Sequence, residues 1–440
     1  MTRILDVYLH EYFVGQLVQD LHGKMMFQYA DAWLSSFEAK AVSQSLPLGS
    51  APYLSGECEG FFGGILPEGN NREIIANNLG ISPRNDLAML EKIGGECAGA
   101  ITFVSSGKTL QAHSGQYRPL SEQALAEILK VLPRRPLLAG EEHVRLSLAG
   151  AQDKLAVYVD SERIFLPLEG APSTHILKPN LGPYPGMVVN EFLCMQLAKK
   201  IGLPTPSTVM GSVDGIEYLL IERYDRVKSE GTPNSRLLQQ DVCQINSEGE
   251  KGSITGQPLA RLHQEDFCQA LGMVSAFKYQ HEGGPSLQQC FQLLRDASTV
   301  SAIDVLRLLN AVIFNFLIGN HDAHGKNFSL LYRQNDAKAW ITTLTPLYDL
   351  VCTAYYSGLS KDMAMKIGGK YESEEVYPRH FERFADDVGL NKPMVRRRIL
   401  SMAREIQAKL PEVMPAHPVG IRVAAVIRGQ CDRTIERFKK

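Results

Sequence analysis

The chain is poor in the features that assign a protein at a glance. Its eight cysteines, at positions 58, 97, 194, 243, 268, 290, 352 and 431, form no CxxC pair and no metal-ligand spacing. Several lie inside apolar helical patterns such as "FCQALGM", so they read as reduced core thiols. No window approaches the ~18 uninterrupted apolar residues of a membrane span. The amino terminus, "MTRILDVYLHEYF", interleaves charged and polar residues with its apolar ones, unlike a signal or transit peptide. A formal charge of −2 gives no overall attraction to nucleic acid or to a membrane surface. No internal repeat is visible. The expectation is a soluble, cytoplasmic protein.

What is present is an ordinary globular composition, 44% apolar and 21% charged. At 440 residues the chain exceeds the size at which one hydrophobic core stops growing, so two or three subdomains are expected. Residues 3 to 30 alternate apolar and polar in three runs separated by polar turns, an antiparallel meander that opens a β-rich first subdomain over 1–105. Residues 140–227 carry the signals of a small α+β lobe. There "KLAVYVD" and "RIFLPLEG" read as a hairpin, "THILKPN" and "IEYLLIERYDR" as strands, and "MVVNEFLCMQLAKKIG" as a helix ending at Gly202. Residues 228–264 are polar and Gly/Ser-rich, a flexible insertion. From 265 to 440 helical patterns dominate, with one strand pair around 328–343.

The stretch "NFLIGNHDAHGKNFSL" sets a burst of polar residues between two apolar segments. Asp322 and Asn327 have the D-x-x-x-x-N spacing of a protein-kinase catalytic loop, in which the Asp meets the substrate hydroxyl and the Asn turns back to hold magnesium. A second acid is expected beyond a strand pair, and "LTPLYDL" supplies Asp349. A cation for the phosphates is expected on a strand of the smaller lobe, where Lys178 ends "THILK", with Glu191 on the next helix available to orient it. "LSLAGAQDK" (146–154) stands where a phosphate-covering loop belongs, although it holds one glycine, Gly150, in place of G-x-G-x-x-G. Singly, each residue reads as a surface charge or a turn residue. The order of loop, lysine, glutamate, helical lobe, D-x-x-x-x-N, hairpin and Asp matches a two-lobed kinase. The rival reading, a metal-dependent hydrolase using His321 and His324, lacks a second histidine motif.

Together "RLSLAGAQDK", "THILKPN", "NEFLCMQLAKKIGLPTP", "IERYDR", "RLHQEDFCQALG", "GNHDAHGKNFSLL", "LTPLYDL" and "YPRHF" resemble the HipA-type serine/threonine kinases, toxin halves of bacterial toxin-antitoxin pairs. The resemblance runs from about residue 5 to residue 400. It implies an α+β, two-lobed protein-kinase-like fold with an added amino-terminal β-rich subdomain and a mainly helical carboxy-terminal lobe. It further implies Asp322 as catalytic base, Asn327 and Asp349 as magnesium ligands, and Lys178 on the phosphates of ATP. Ala149, Gly150, Ala151, Gln152, Asp153 and Lys154 would cover those phosphates. Glu222, Arg223 and Tyr224 would form the hinge that meets adenine, and His324, Lys326 and Tyr348 would line the nucleotide site. Ser147 corresponds to the serine that members phosphorylate on themselves, where added charge would repel ATP and expel the loop. The implied partners are a dimeric helix-turn-helix antitoxin, operator DNA mainly through that antitoxin, and a protein substrate such as an aminoacyl-tRNA synthetase, with no membrane.

Two departures stand out. The insertion after "IERYDR" is longer than the family pattern suggests. Residues 371–387 hold six acidic against two basic residues, a poor phosphate surface, whereas 392–440 carry twelve Lys/Arg against four Asp/Glu. The alternatives weighed are a catalytically silent antitoxin-binding co-repressor, disfavoured by the intact Asp322, Asn327, Asp349 and Lys178, and a lipid or small-molecule kinase, disfavoured by the lack of a membrane anchor.

Overall fold

The computed structural model describes residues 3–108, 110, 116–228, 243–245, 251–253, 259–335 and 337–439. Most of the expected insertion at 228–264 therefore lies outside the described residues. The chain divides into two compact units: residues 1–181, 211–265 and 274–276 form the first, and 182–210, 266–273 and 277–440 the second.

The first unit contains the meander. Strands Arg3–Leu9, Tyr12–Gln19 and Met25–Tyr29 pair in sequence order, and Ile101–Ser105 returns antiparallel to the first of them. Alternation decides which face is buried: Leu5 lies opposite Leu17 and Leu17 opposite Phe27, and all three are buried. A second set of strands forms around the hairpin Leu155–Asp160 and Arg163–Pro167. The strand His175–Pro179 lies between Leu155–Asp160 and Ile216–Glu222, antiparallel to both. Leu155, Val157 and Leu177 share one core with Leu5, Leu17 and Phe27, so the amino-terminal meander and the hairpin strands are stabilised by the same burial of apolar surface.

The second unit is built round the helix Ser301–Ile318, twelve of whose residues are buried. By length and composition this helix could cross a membrane, which the run-length criterion misses because Asp304 and Arg307 interrupt it; 67% of it is buried inside the fold. Asp304 is buried but satisfied, accepting from the Ser298 hydroxyl at 2.7 Å, the Leu344 N–H at 2.7 Å and the Arg307 guanidinium at 2.8 Å. Helices Met187–Lys200, Leu287–Ala297, Lys392–Val413 and Pro418–Lys439 pack their apolar residues into the same core. The expected strand pair is Ser329–Gln334 with Trp340–Leu344, antiparallel. The seven described cysteines whose surroundings are defined are all buried, and none of them forms a disulfide.

The basic carboxy-terminal segment is two core helices rather than a loose arm. Several of its cations are engaged internally: Arg396 with the Phe438 carbonyl, Arg398 with Asn310 and Arg437 with the Val376 carbonyl.

Candidate active site

The polar burst of the sequence is a self-bonding loop. The core helix stops at Gly319, whose φ of 71° is a left-handed cap. Asn320 then donates to the Asn315 side-chain oxygen at 2.8 Å and to the Asp349 carbonyl at 3.4 Å. Its own side-chain oxygen accepts from the Asp322 N–H at 3.2 Å. The Asp322 carbonyl accepts from the His324 N–H at 2.8 Å, and the Asn327 side chain points back to the same carbonyl at 3.4 Å. The polar side chains of this loop bond to its own backbone and to neighbouring segments of the same unit, which is why they can lie between buried segments. Gly325 admits no side chain, since a Cβ there would fall 2.3 Å from Pro285 and 2.9 Å from the Cys268 sulfur.

Asp322 is exposed while its neighbours His321, His324, Lys326 and Asn327 are buried. Its carboxylate accepts a hydrogen bond from the Tyr279 hydroxyl at 2.7 Å. Lys326 is held by Asp266 at 2.8 Å, a buried pair. Its ammonium is thus engaged from within the second unit. Tyr348 braces the loop, its hydroxyl donating to the Lys326 carbonyl at 2.8 Å and lying 2.6 Å from the Ser329 hydroxyl. His321 is occupied as well: one ring nitrogen lies 3.0 Å from the Ser373 hydroxyl, the other 3.4 Å from the Ser360 carbonyl, and burial lowers its pKa. That occupation weighs against the metal-hydrolase reading.

Asp349 follows the hairpin and has a φ of 52°, unusual for a residue other than glycine and tolerated best by Asp and Asn. Residues in such conformations concentrate at functional sites. The segment after it is clamped by Asn190, whose side chain bonds both the N–H of Cys352 at 2.9 Å and its carbonyl at 3.0 Å. Glu191, next on the same helix, is 1% exposed.

In the first unit Lys178 is buried on the strand His175–Pro179. Residues 149–154 form a turn closed by Lys154, whose ammonium donates to the Ala149 carbonyl at 2.6 Å, with Gly150 at φ 102°. The turn is tethered to the amino-terminal part: the Glu68 N–H meets the Gly150 carbonyl at 3.3 Å, and Asn71 meets that of Ala151 at 3.1 Å. Burial raises the pKa of Asp153; Gln152 is exposed. Ser147 is not in a loop as expected. It sits in the two-residue strand Leu146–Ser147, parallel to Glu96–Cys97, fully buried, with its hydroxyl donating to the Ile65 carbonyl at 3.1 Å.

The hinge segment also carries an engaged cation. Glu222 is exposed and the Tyr224 hydroxyl donates to Gln264 at 2.5 Å, whereas Arg223 is buried in an ion network with Asp225 and Glu96. Sequence reading missed that network, together with Tyr279, Asp266 and Asn320. A weak signal existed for Glu96, Arg223, Asp225 and Arg226, since "GGECAGA" and "IERYDR" place charges inside otherwise apolar or glycine-rich runs. Nothing in the sequence pairs Tyr279 with Asp322.

Comparison with known proteins supplies the family. A profile described as the HipA N-terminal domain matches residues 5–104, and one described as the HipA-like C-terminal domain matches residues 146–410. The chain belongs to the HipA family and is a protein kinase of that type. It is 41% identical over 405 residues to the Sinorhizobium fredii protein Y4mE, covering 91% of this chain and 89% of that one. It is 27% identical over 425 residues to the serine/threonine-protein kinase toxin HipA of Shewanella oneidensis, covering 94% and 90%. A solved Shewanella oneidensis structure of HipA, HipB and operator DNA is matched with a TM-score of 0.79 at 25% identity, over 99% of this chain and 98% of that one. The α+β kinase-like fold of HipA type is thereby established.

Proposed function

We propose that this kinase is the toxin of a toxin-antitoxin pair, transferring the γ-phosphoryl group of ATP to serine or threonine hydroxyls of a cellular protein. The observation that carries the reading is the catalytic loop: an exposed carboxylate on a loop whose other polar side chains are buried. In this reading Asp322 accepts the proton of the attacking hydroxyl. The Asn327 amide oxygen and the Asp349 carboxylate are hard oxygen donors of the kind magnesium takes, and would hold it; the ion would neutralise charge on the phosphates. Lys178, with Glu191 orienting it, would meet the phosphates, and Ala149 to Lys154 would cover them. Adenine would lie along Glu222 to Tyr224, chiefly against backbone, since the Arg223 side chain is engaged elsewhere. His324, Lys326 and Tyr348 would line the nucleotide site, and the Tyr348 and Lys326 bonds would also fix the catalytic loop.

Ser147 is the proposed autophosphorylation site. Its complete burial means that the segment 146–154 must leave its position before a phosphate can be added, and two negative charges could not return to the apolar site the hydroxyl now occupies. We further propose that residues 1–105, 140–227 and 265–440 act as amino-terminal subdomain, small lobe and large lobe, with 228–264 as an insertion. The proposed setting is the cytoplasm, without a membrane. By analogy with the HipA, HipB and operator complex, the proposed partners are an antitoxin and, through it, DNA; that the antitoxin is a helix-turn-helix dimer, and that the substrate is a protein such as an aminoacyl-tRNA synthetase, is proposed from the family resemblance alone.

The test is incubation of the full chain with magnesium and labelled ATP beside Asp322→Asn, read by intact mass and peptide mapping. One added phosphate on Ser147 is expected in the parent, with transfer about 10³-fold slower in the variant and folding unchanged. Equal transfer in both would remove Asp322 from the role of base. Phosphate on a different residue would remove Ser147 while leaving the kinase.

A further inference from the structure

We propose that Tyr279, which lies outside the catalytic loop, is a positioning residue for Asp322: its hydroxyl holds one carboxylate oxygen and leaves the other directed at the acceptor hydroxyl. The inference rests on Asp322 being the base. The hydrogen bond from Tyr279 to Asp322 Oδ1 is 2.7 Å long. Among the described residues, this hydroxyl is the donor that meets the Asp322 carboxylate; the other bonds of Asp322 involve its backbone. An exposed carboxylate with no partner turns freely about its side-chain torsions, and a base that wanders by an ångström loses most of its effectiveness. With Oδ1 occupied by a donor, Oδ2 remains as the acceptor for a substrate proton.

Tyr279 is itself fixed from three directions. Its carbonyl accepts from the N–H groups of Glu282 at 3.0 Å and Gly284 at 2.9 Å, forming a tight turn. Gly283 takes a φ of 103° in that turn, and a Cβ on Gly284 would fall 2.4 Å from the Phe277 carbonyl oxygen. The adjacent Gln280 accepts from the Lys366 N–H at 2.8 Å, anchoring the turn to the strand Asp362–Ile367. The Tyr279 ring stacks on His281 at 5.8 Å and meets the edge of His324, in the catalytic loop, at 5.4 Å. The turn is thus pinned on both sides, and its hydroxyl has a defined place to deliver.

The experiment compares the full chain with Tyr279→Phe, Asp322→Asn and the double variant, measuring basal hydrolysis of magnesium ATP, in which water replaces the unidentified acceptor. Phenylalanine keeps both ring contacts and removes only the hydroxyl. The expected result is a kcat about tenfold lower for Tyr279→Phe, with the KM for ATP within about twofold and the thermal midpoint within about 1 °C. In the Asp322→Asn background the same change should cost nothing further, because the carboxylate it orients is gone. Unchanged or faster turnover in Tyr279→Phe, with Asp322→Asn inactive, overturns the positioning role alone. Full turnover in Asp322→Asn, or none in the parent, overturns the assignment of the base and this inference with it. Phosphate mapped onto Tyr279 would make that hydroxyl an acceptor rather than a support, and would overturn it also.

Discussion

In the first unit five charged side chains, Glu96, Asp225, Arg223, Arg226 and Arg261, are buried together; in the second, Asp322 is exposed and Asp349 half-buried at the ends of a loop and a hairpin. The first group is closed. Glu96 accepts from Arg223 at 3.1 Å, Arg226 at 2.8 Å and both the N–H and hydroxyl of Ser173, while Asp225 accepts from Arg223 at 2.8 Å and the Gly99 N–H at 2.8 Å. The third guanidinium, Arg261, meets the Gly99 and Ile101 carbonyls and the Thr102 hydroxyl. Burial pushes the Glu96 carboxyl up, but Arg226, Arg261 and Arg223 outweigh it and bring it down to about 2. Charges engaged in this way hold strands together and are shut off from water, although Glu96 Oε2 and Arg226 Nε keep no hydrogen-bond partner among the described residues. The second group has one carboxylate facing water, so the same residue type is available for chemistry.

The comparison can be broken first at Glu96. Glu96→Gln leaves three guanidinium groups facing one carboxylate, and removing one partner of a buried pair costs ~3–5 kcal/mol. A large fall in the urea midpoint is expected, with any activity loss tracking the unfolded fraction. A stable variant would mean that the network is dispensable and that Arg223 could be free for other work.

A smaller effect comes from pH. His263, 1% exposed, lies 2.8 Å from the Val42 carbonyl, and burial with neighbouring cations lowers its pKa from 6.5 to about 3. Because the folded pKa is depressed, the unfolded chain takes the proton first. The contribution is complete above pH 6.5 and is lost as pH falls toward 3. Glu96, lowered from 4.5, adds its loss only below that pH. Between pH 7 and pH 5 the first unit should lose about 2 kcal/mol through His263. His263→Gln should flatten that slope in urea titrations; an unchanged slope would place the proton elsewhere.

Much of this was legible in the sequence. The strands over 3–30, the helix before Gly202, the hairpin before Asp349 and the family itself follow from short-range patterns, because alternation, caps and turn residues act over a few positions. The order of Asp322, Asn327 and Asp349 was legible because a loop-hairpin-acid arrangement keeps its spacing along the chain. What was not legible depends on contacts between distant segments. Glu96 and Arg226 are 130 residues apart, Asp266 and Lys326 are 60 apart, and Tyr279 and Asp322 are 43 apart. The same gap explains why the engagement of Lys326 and Arg223 and the burial of Ser147 could not be read from the sequence. Their motif positions are visible in the sequence, whereas the partners that engage or bury them are not.

The sharpest test of available against engaged charge uses the smallest change, at Asp349. Its φ of 52° makes two demands that other variants confound: a carboxylate for the metal and a side chain that tolerates a left-handed backbone. Asp349→Asn removes the charge but keeps a residue suited to that conformation, whereas Asp349→Ala loses both. Turnover should fall at least ~100-fold in both variants, since each lacks the anionic oxygen that magnesium prefers. Stability should separate them, with alanine about 1 kcal/mol below asparagine because a Cβ without a short polar group carries the full left-handed penalty. If the two are equally stable, the backbone at this position is not strained, and the turn after the hairpin is set by the Asn190 clamp alone. If asparagine retains turnover, Asp349 belongs with Glu96 among the engaged charges, and the metal must be sought on other oxygens.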